Sequence, residues 1–548
     1  MAWTVTLDEF DTYDDAWEGF SMDLPADYNV AADCVRKHDD LDRTALHQAY
    51  PDGRRETYSF RDLDRKSDKL ANALEDDGIE PGDRVVVYLP QIPETLCMNL
   101  ACWKLGALSV PVNSSANSVY IRQVAESCDP KIIITNDALV ETVIDVTESC
   151  PAIERIVLVG ENDDHDASVS VTRYDTFVTN QPSNFDIIDS TPKTPASIMY
   201  TSGSTGPPKG ALLPHEAWPG HLPGVYMNNE LGLDETSVGY HHMIWGTTTG
   251  LANAVFGMWH YGGSVVGYQK DSYEPKKTFE LLDEFDVTHA FIVPSWLRKM
   301  MDVEDPTAYD LSLSVITAGS ERLSSEIVDW AENHLQGAVV NEIYGLTETG
   351  PLVTDCQTWY QQHHGVAGKP VPGQGVAIID TETGEEKLRG ETGAIAVRDE
   401  GLSSVLLEYW NLPEETAKLK RVDGWVLTGD LGVQNEEGYV RVFGRDDDVI
   451  ISSGYQIKPD EIEAVITQHE SVAEVGVITE IDEDLGEIIK AFVELRPNTE
   501  PTPILQAELK GWVKNSLETY KSPDNIIFVS SIPTTDRGKI DRQALKQK

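Results

Sequence analysis

Tyr200-Thr-Ser-Gly-Ser-Thr-Gly-Pro-Pro-Lys-Gly210 follows directly on the apolar run Ala196-Ser-Ile-Met199. Four Ser or Thr hydroxyls, three glycines and one lysine fall within these eleven positions. Glycine lets a backbone bend closely around a phosphate, and exposed N–H groups and hydroxyls supply donors without bulk. Thr201, Ser202, Gly203, Ser204, Thr205, Gly206 and Lys209 are therefore the candidate ligands of the phosphates of ATP. A Walker A loop places Ser or Thr after its Gly-Lys pair to bind magnesium. Lys209 is followed by Gly210, so a P-loop NTPase is disfavoured. Pro207-Pro208 stiffens the segment and argues against a plain linker.

Outward from this loop, short apolar runs alternate with helical periodicity. Arg61–Glu75 and Pro93–Leu105 are predicted helices, and Asp83–Tyr88, Lys131–Thr135 and Arg155–Val159 predicted strands. The alternation resumes with strands near Gly263–Gly267, Ala290–Val293 and Ser314–Thr317. Such a pattern implies βαβ units and largely parallel sheets. After about residue 365 the texture changes to short strands punctuated by glycine turns (Gly375–Asp380, Gly393–Val397, Gly438–Phe443), as in an antiparallel sheet or small barrel. A compact α+β segment of helices (Pro459–His469, Pro503–Leu517) and strands (Val472–Ile478, Ile488–Leu495, Ile526–Val529) closes the chain. The expected fold class is α/β: a large N-terminal domain, residues 1–446, with βαβ sheets plus a small β-barrel-like subdomain, and a smaller α+β C-terminal domain, residues 447–548.

The charge balance narrows the setting. The 548 residues carry 92 acids against 43 bases, a formal net charge of −49. Self-repulsion on that scale opposes compaction in dilute buffer, whereas molar salt shortens the Debye length to about 3 Å. The acids are spread throughout rather than gathered in a tail, so a high-salt cytoplasm is the expected compartment. Such a surface also argues against nucleic acid or an anionic membrane as partner. Six cysteines lie scattered without a C-x-x-C pair, as expected of reduced, buried thiols. The N-terminus has neither the basic region nor the apolar core of a signal peptide. His241-His242 and His363-His364 have no third ligand in sequence spacing to make a metal site, and one of the first pair is a candidate lining residue.

Further segments complete a constellation: Thr317-Ala-Gly-Ser-Glu-Arg322, Tyr344-Gly-Leu-Thr-Glu-Thr-Gly350, Thr428-Gly-Asp430, Gly444–Gln456 and Pro533–Asp541. In this order, and over nearly the whole chain, they resemble the adenylate-forming superfamily of acyl-CoA synthetases, firefly luciferases and peptide-synthetase adenylation domains. The wording around Arg84–Pro90 and Asp447–Gly454 is most similar to medium-chain acyl-CoA synthetases. The resemblance implies an ATP-dependent acyl-CoA synthetase that forms an acyl-AMP, passes the acyl group to CoA and releases AMP and pyrophosphate.

By that resemblance Thr201 and Ser202–Lys209 would hold the β- and γ-phosphates, Thr347 the α-phosphate and Glu348 a Mg²⁺ ion. Gly319, Ser320 and Glu321 would run along the adenine, with Tyr344 and Gln456 also at the nucleotide, and Asp430 and Arg445 at the ribose. Lys539 would bridge the acyl carboxylate and the α-phosphate. Asp447 would be the hinge on which the C-terminal domain turns for thioester formation, and Ser453-Gly454 would line the pantetheine tunnel. Gly345 stands where acetyl-specific members carry a tryptophan, so the acyl pocket, with Trp245 as a candidate wall, is expected to admit a medium-chain, branched or aryl acid. Two departures stand out: Gln456 replaces the arginine of acetyl-CoA synthetases, and Arg537 stands where serine is commoner. Alternatives left open are a non-CoA thiol acceptor, such as a carrier protein, and a catalytically inactive nucleotide-binding regulator. Self-association is also left open.

Overall fold

The structure, a computed structural model, describes residues 3–161, 167–201, 207–269, 274–321, 323–398, 404–445, 450–452, 455–457, 459–482, 486–497, 499–517, 521–534 and 540–548. Of residues 445, 450–452, 455–457, 481–482 and 486–487 only the backbone is described. The chain divides into two compact units, the first made of Met1–Gly203, Pro207–Val376 and Val397–Val426, the second chiefly of Ala377–Ala396 and Leu427–Lys548. The expected boundary between residues 446 and 447 lies outside the described residues.

Two sheets organise the first unit. One has eight strands, in the order Glu408–Tyr409, Lys209–Pro214, Pro195–Thr201, Leu108–Pro111, Arg84–Val87, Ile132–Asn136, Arg155–Val159 and Ser170–Arg173. It is parallel from Pro195–Thr201 onward, and antiparallel where Lys209–Pro214 joins both neighbours. The other has nine strands. Its parallel centre runs Val339–Leu346, Val315–Gly319, His289–Phe291, Val238–His241, Ser264–Tyr268 and Thr44–Ala49. Antiparallel strands Gly350–Thr354 and Arg55–Ser59 flank that centre. A parallel arrangement gathers the C-terminal ends of many strands along one edge, where sites form in open α/β sheets.

Local chemistry explains the helices that pack these sheets. Phe60–Asp76 starts with a capping box, the Ser59 hydroxyl and Asp62 carboxylate each accepting from the other's backbone N–H. Pro93–Leu105 begins with proline at its first turn and ends at Gly106, whose φ of +77° is cheap only for glycine. Twelve of its thirteen residues are buried, as a helix between two layers requires. Lys104 is among them. Its Nζ lies 2.6 Å from Asp64 Oδ1, 2.7 Å from Asp68 Oδ1 and 2.8 Å from Ser67 Oγ, and Arg36 pairs with the same two carboxylates. Removing the lysine leaves buried negative charge partly uncompensated. Lys104→Met is expected to cost about 3 kcal/mol, read as a lower urea midpoint with an unchanged slope; an unchanged midpoint would refute the pairing.

In the second unit a four-stranded sheet runs Val376–Ile379, Thr392–Arg398, Trp425–Gln434 and Val440–Arg445. Val472–Asp482 and Gly486–Leu495 form an antiparallel pair that Asn525–Val529 extends in parallel. Helices Pro459–Thr467 and Pro503–Ser516 cover it through Ile462, Val475, Val493 and Leu509. All six cysteines are buried and unbonded. Among the described residues no helix is long and apolar enough to cross a membrane.

Candidate active site

The strand Pro195–Thr201 returns through the glycine-hydroxyl loop into Lys209–Pro214, and the register pairs Thr201 with Lys209. Gly210 has no room for a side chain: a Cβ would stand 2.6 Å from Ile198 Cγ2 and 2.9 Å from Tyr200 Cζ. Lys209 Nζ lies 2.5 Å from Glu415 Oε2 and faces the ring of Tyr409. The Lys209 ammonium, with Lys418 on the second oxygen, holds the Glu415 carboxyl down at about 2. Lys209 thus stands at the foot of the loop with its charge already steered. Ser202, Gly203, Ser204, Thr205 and Gly206 lie outside the described residues.

Two neighbouring parallel strands carry the next motifs at their C-terminal ends. Val315–Gly319 leads into Ser320, which holds φ of +70°, a left-handed conformation costing a non-glycine residue about 1 kcal/mol or more. Gly319 permits a close approach, since a Cβ there would meet Ile343 Cγ2 and O at 2.8 Å and Phe291 Cζ at 3.3 Å. Glu321 turns away to accept from the N–H and hydroxyl of Ser295, both at 2.8 Å, in the first turn of helix Pro294–Met300. It therefore also anchors the exit of the strand.

Val339–Leu346 brings Tyr344, Gly345, Thr347 and Glu348 to the same edge. The Thr248 hydroxyl donates to Thr347 Oγ1 at 3.2 Å, which leaves the Thr347 proton for a ligand. Glu348 is 7% exposed, and its Oε1 accepts from the Tyr409 hydroxyl at 2.7 Å. Tyr409 so ties the acid to the strand partner of the phosphate hairpin. At Gly345 a Cβ would lie 2.2 Å from Gly350 O and 2.8 Å from Pro351 Cα. In this backbone arrangement a side chain at that position would displace the tight return of Gly350–Thr354 against its neighbour. Trp245 is buried against Gly267, where a Cβ would meet its ring at 2.6 Å.

In the second unit, antiparallel register places Asp430 opposite Arg445, the two residues expected at one sugar. Asp430 is buried and its N–H donates to Thr428 Oγ1 at 3.1 Å. Gln456 pairs with Ile451 in the hairpin of Ile450–Ser452 and Tyr455–Ile457. Asp447, Ser453, Gly454, Arg537 and Lys539 lie outside the described residues.

The paired histidines stand at the end of strand Val238–His241. The strand ends at His241, and beyond it the two rings stack nearly parallel at 5.9 Å. His241 also stacks on Phe291 at 4.6 Å, and His242 on Trp296 at 6.0 Å. Among the described residues no three His, Cys, Asp or Glu side chains are gathered to hold a metal.

Sequence reasoning did not find the cavity beside these strand ends. It is a small cleft of about 20 Å³, room for about one water, lined by Tyr240, Asn253, Phe291, Thr317 and Ile343 among others. One wall is a π-helix, Thr249–Phe256, a rare element that recurs at functional sites. Neither Trp245 nor Gly345 lines it. The signal that would have marked it is Asn228-Asn229, two amides closing the otherwise apolar Leu222–Met227.

The chain matches the AMP-binding enzyme family over residues 34–410 and the AMP-binding enzyme C-terminal domain over residues 461–539. It is 30% identical to the acetyl-coenzyme A synthetase of Bacillus subtilis (strain 168), over 94% of this chain and 90% of that protein. It is 29% identical to the mitochondrial acyl-coenzyme A synthetase ACSM3 of Mus musculus, over 100% and 94% respectively. Among solved structures it is similar to the anthranilate CoA ligase AuaEII in complex with anthranoyl-AMP, with a TM-score of 0.86, 26% identity and coverage of 96% and 98%. Two family segments matched in order, relatives that align over nearly their whole length, and a shared overall fold agree with one another: the chain belongs to the AMP-binding enzyme family.

Proposed function

We propose that this protein is an ATP-dependent acyl-CoA synthetase acting on a carboxylic acid larger than propionate, of the medium-chain, branched or aryl class. The observation that carries the reading is the meeting of Thr347, Glu348 and the strained Ser320 turn on adjacent parallel strands beside a cavity. In the first half-reaction a carboxylate oxygen attacks the α-phosphorus of ATP, an O–P bond forms and pyrophosphate departs. Two anions must approach, so positioning and charge neutralisation are the protein's chief tasks. Thr347 would donate to the α-phosphate, the hydroxyls and Lys209 of the loop would hold the outer phosphates, and Asp430 with Arg445 would hold the ribose. Lys539 would span the acid and the α-phosphate as a compact point charge.

Mg²⁺ is the metal this chemistry calls for, and Glu348 suits it. The Tyr409 hydroxyl occupies one carboxylate oxygen, and the other, a hard ligand, would be the one to hold the cation. When bound it would neutralise charge on the triphosphate. In the second half-reaction the CoA thiol attacks the acyl carbon, a C–S bond forms, AMP leaves with the electrons of the C–O bond, and the thiol proton passes to solvent. Asp447 as hinge and Ser453-Gly454 in the pantetheine path belong to this half.

Relatives of the chain are named for acetyl and anthranoyl chemistry, so the panel that tests the proposal runs from a two-carbon acid to aryl acids. The test is AMP release with Mg-ATP in high salt across C2 to C12, branched and aryl acids, with and without CoA. CoA-dependent release with a preference beyond C3 is the expected result. Pyrophosphate exchange without CoA-dependent turnover would transfer the assignment to another thiol acceptor. Absence of both would leave a nucleotide-binding regulator.

A further inference from the structure

The acid expected to hold magnesium is met by a neutral donor. Glu348 is buried, and its Oε1 accepts from the Tyr409 hydroxyl at 2.7 Å, the length of a hydroxyl donating to a carboxylate. Among the described residues no lysine, arginine or histidine pairs with Glu348. A buried carboxylate is costly unless a cation or a metal meets it. Glu348 therefore suits a cation that arrives with the ligand.

Tyr409 is braced from several directions. Its strand, Glu408–Tyr409, pairs with Leu212 and Ala211 of the phosphate hairpin. The N–H groups of Leu407 and Trp410 donate to Leu212 O at 2.8 Å and to Gly210 O at 2.7 Å. Leu406 N–H donates to Glu348 O at 2.9 Å, so the segment that carries the hydroxyl also grips the backbone of the acid. Tyr409 N–H donates to Thr416 Oγ1 at 2.9 Å in helix Pro413–Leu419. Glu415 of that helix holds Lys209, whose Nζ lies 5.5 Å from the centroid of the Tyr409 ring. Strand, helix and lysine thus close a circuit of contacts around one tyrosine. A ring held this way gives its hydroxyl a fixed direction, which is what orienting a carboxylate requires.

The two ends of Tyr409 face groups that serve one ligand. On the acyl-CoA synthetase reading, on which this step rests, Lys209 meets the outer phosphates of ATP and Glu348 the cation bound to them. A neutral hydroxyl orients the acid without cancelling its charge. A lysine or arginine in that place would compete with the metal.

We infer that Tyr409 is the positioning residue of the metal carboxylate: its hydroxyl occupies Oε1 and so presents Oε2 of Glu348 to the divalent cation of Mg-ATP. Its action passes through Glu348. Partners that orient a ligating side chain in this way govern metal affinity by about ten- to hundredfold.

The experiment measures ATP binding by isothermal titration calorimetry in high salt, with excess Mg²⁺ and again with EDTA, on the unmodified protein and on Tyr409→Phe. Phenylalanine keeps the ring beside Lys209 and removes the hydroxyl alone. The Kd of Mg-ATP is expected to rise about ten- to hundredfold, while that of metal-free ATP stays within about twofold. Equal weakening with and without metal would mark a merely structural role and overturn the inference, as would unchanged binding of Mg-ATP. Tyr409→Phe leaves a buried carboxylate oxygen without its donor, which can cost the fold. Glu348→Gln, alone and combined with Tyr409→Phe, removes that charge and keeps the question open to measurement. If Tyr409 acts through Glu348, the two glutamine variants bind Mg-ATP alike; a further loss in the combined variant would overturn the inference. AMP release from the acid panel reads the synthetase separately, so each of these failures leaves it standing. No Mg-ATP binding by the unmodified protein, with AMP released from no acid, would overturn the synthetase and the inference together.

Discussion

Lys539→Ala is expected to lower adenylate formation by about a hundred- to a thousandfold while leaving thioester formation from supplied acyl-AMP within a few-fold. The asymmetry follows from the charges. The first half-reaction drives a carboxylate against a triphosphate, and a cation placed between them acts where negative charge accumulates. The second half-reaction starts from the adenylate, after pyrophosphate has gone, and needs no cation between acid and phosphate. Among the described residues on either side of Lys539, Thr534 and Ile540 form an antiparallel bridge, and Asp541 N–H donates to Pro533 O at 2.8 Å. Arg542 is held by Glu463 Oε1 at 2.7 Å and by Val477 O at 3.2 Å. Gly476 makes room for Ile540 and Leu545, since a Cβ would lie 2.6 Å from Leu545 Cδ1. Pyrophosphate exchange reports the first half-reaction, and thiol consumption with synthetic acyl-AMP the second. Equal loss in both would remove Lys539 from the proposed role.

Raising KCl from dilute buffer to about 2 M is expected to increase activity severalfold or more and to raise the thermal midpoint. A net charge of −49 opposes the compact state, and the reactants ATP and CoA are themselves polyanions approaching an acidic surface. Salt shortens the range of both repulsions to about 3 Å at 1 M. Sucrose at matched osmolality does not screen charge, so it serves as the control. An optimum in dilute buffer, or equal stimulation by sucrose, would refute the electrostatic account.

Elements with strong local signals were legible in the sequence. Pro93–Leu105 was bounded by its proline and its glycine, and the structure ends it at the same residues. Arg155–Val159 also agrees at both ends, because an apolar β-branched run between polar residues leaves little choice. The alternation that implied parallel sheets holds across both sheets of the first unit. What was not legible depends on tertiary pairing. Asn228, His289 and Asn253 lie far apart in sequence and carry no motif, and only the sheet brings them around one cavity. The π-helix leaves no simple periodic signature in composition. Gly345 shows a further limit: its sequence reading concerned the space a tryptophan would fill, whereas the structure adds a close backbone approach at Gly350 that a side chain would have to displace. The left-handed Ser320 was equally hidden, since serine announces no preference for that conformation.

The sequestered thiols make the native chain chemically silent toward maleimides and other sulfhydryl reagents. With all six cysteines buried and burial pushing Cys97 up to about 12, modification of the intact fold awaits an opening event. A single cysteine introduced at an exposed position of the second unit, such as Ile504, would therefore take a fluorophore selectively without stripping the native six. A fluorophore there, partnered with one in the first unit, would report optically whether the second unit turns during catalysis, as proposed for the Asp447 hinge.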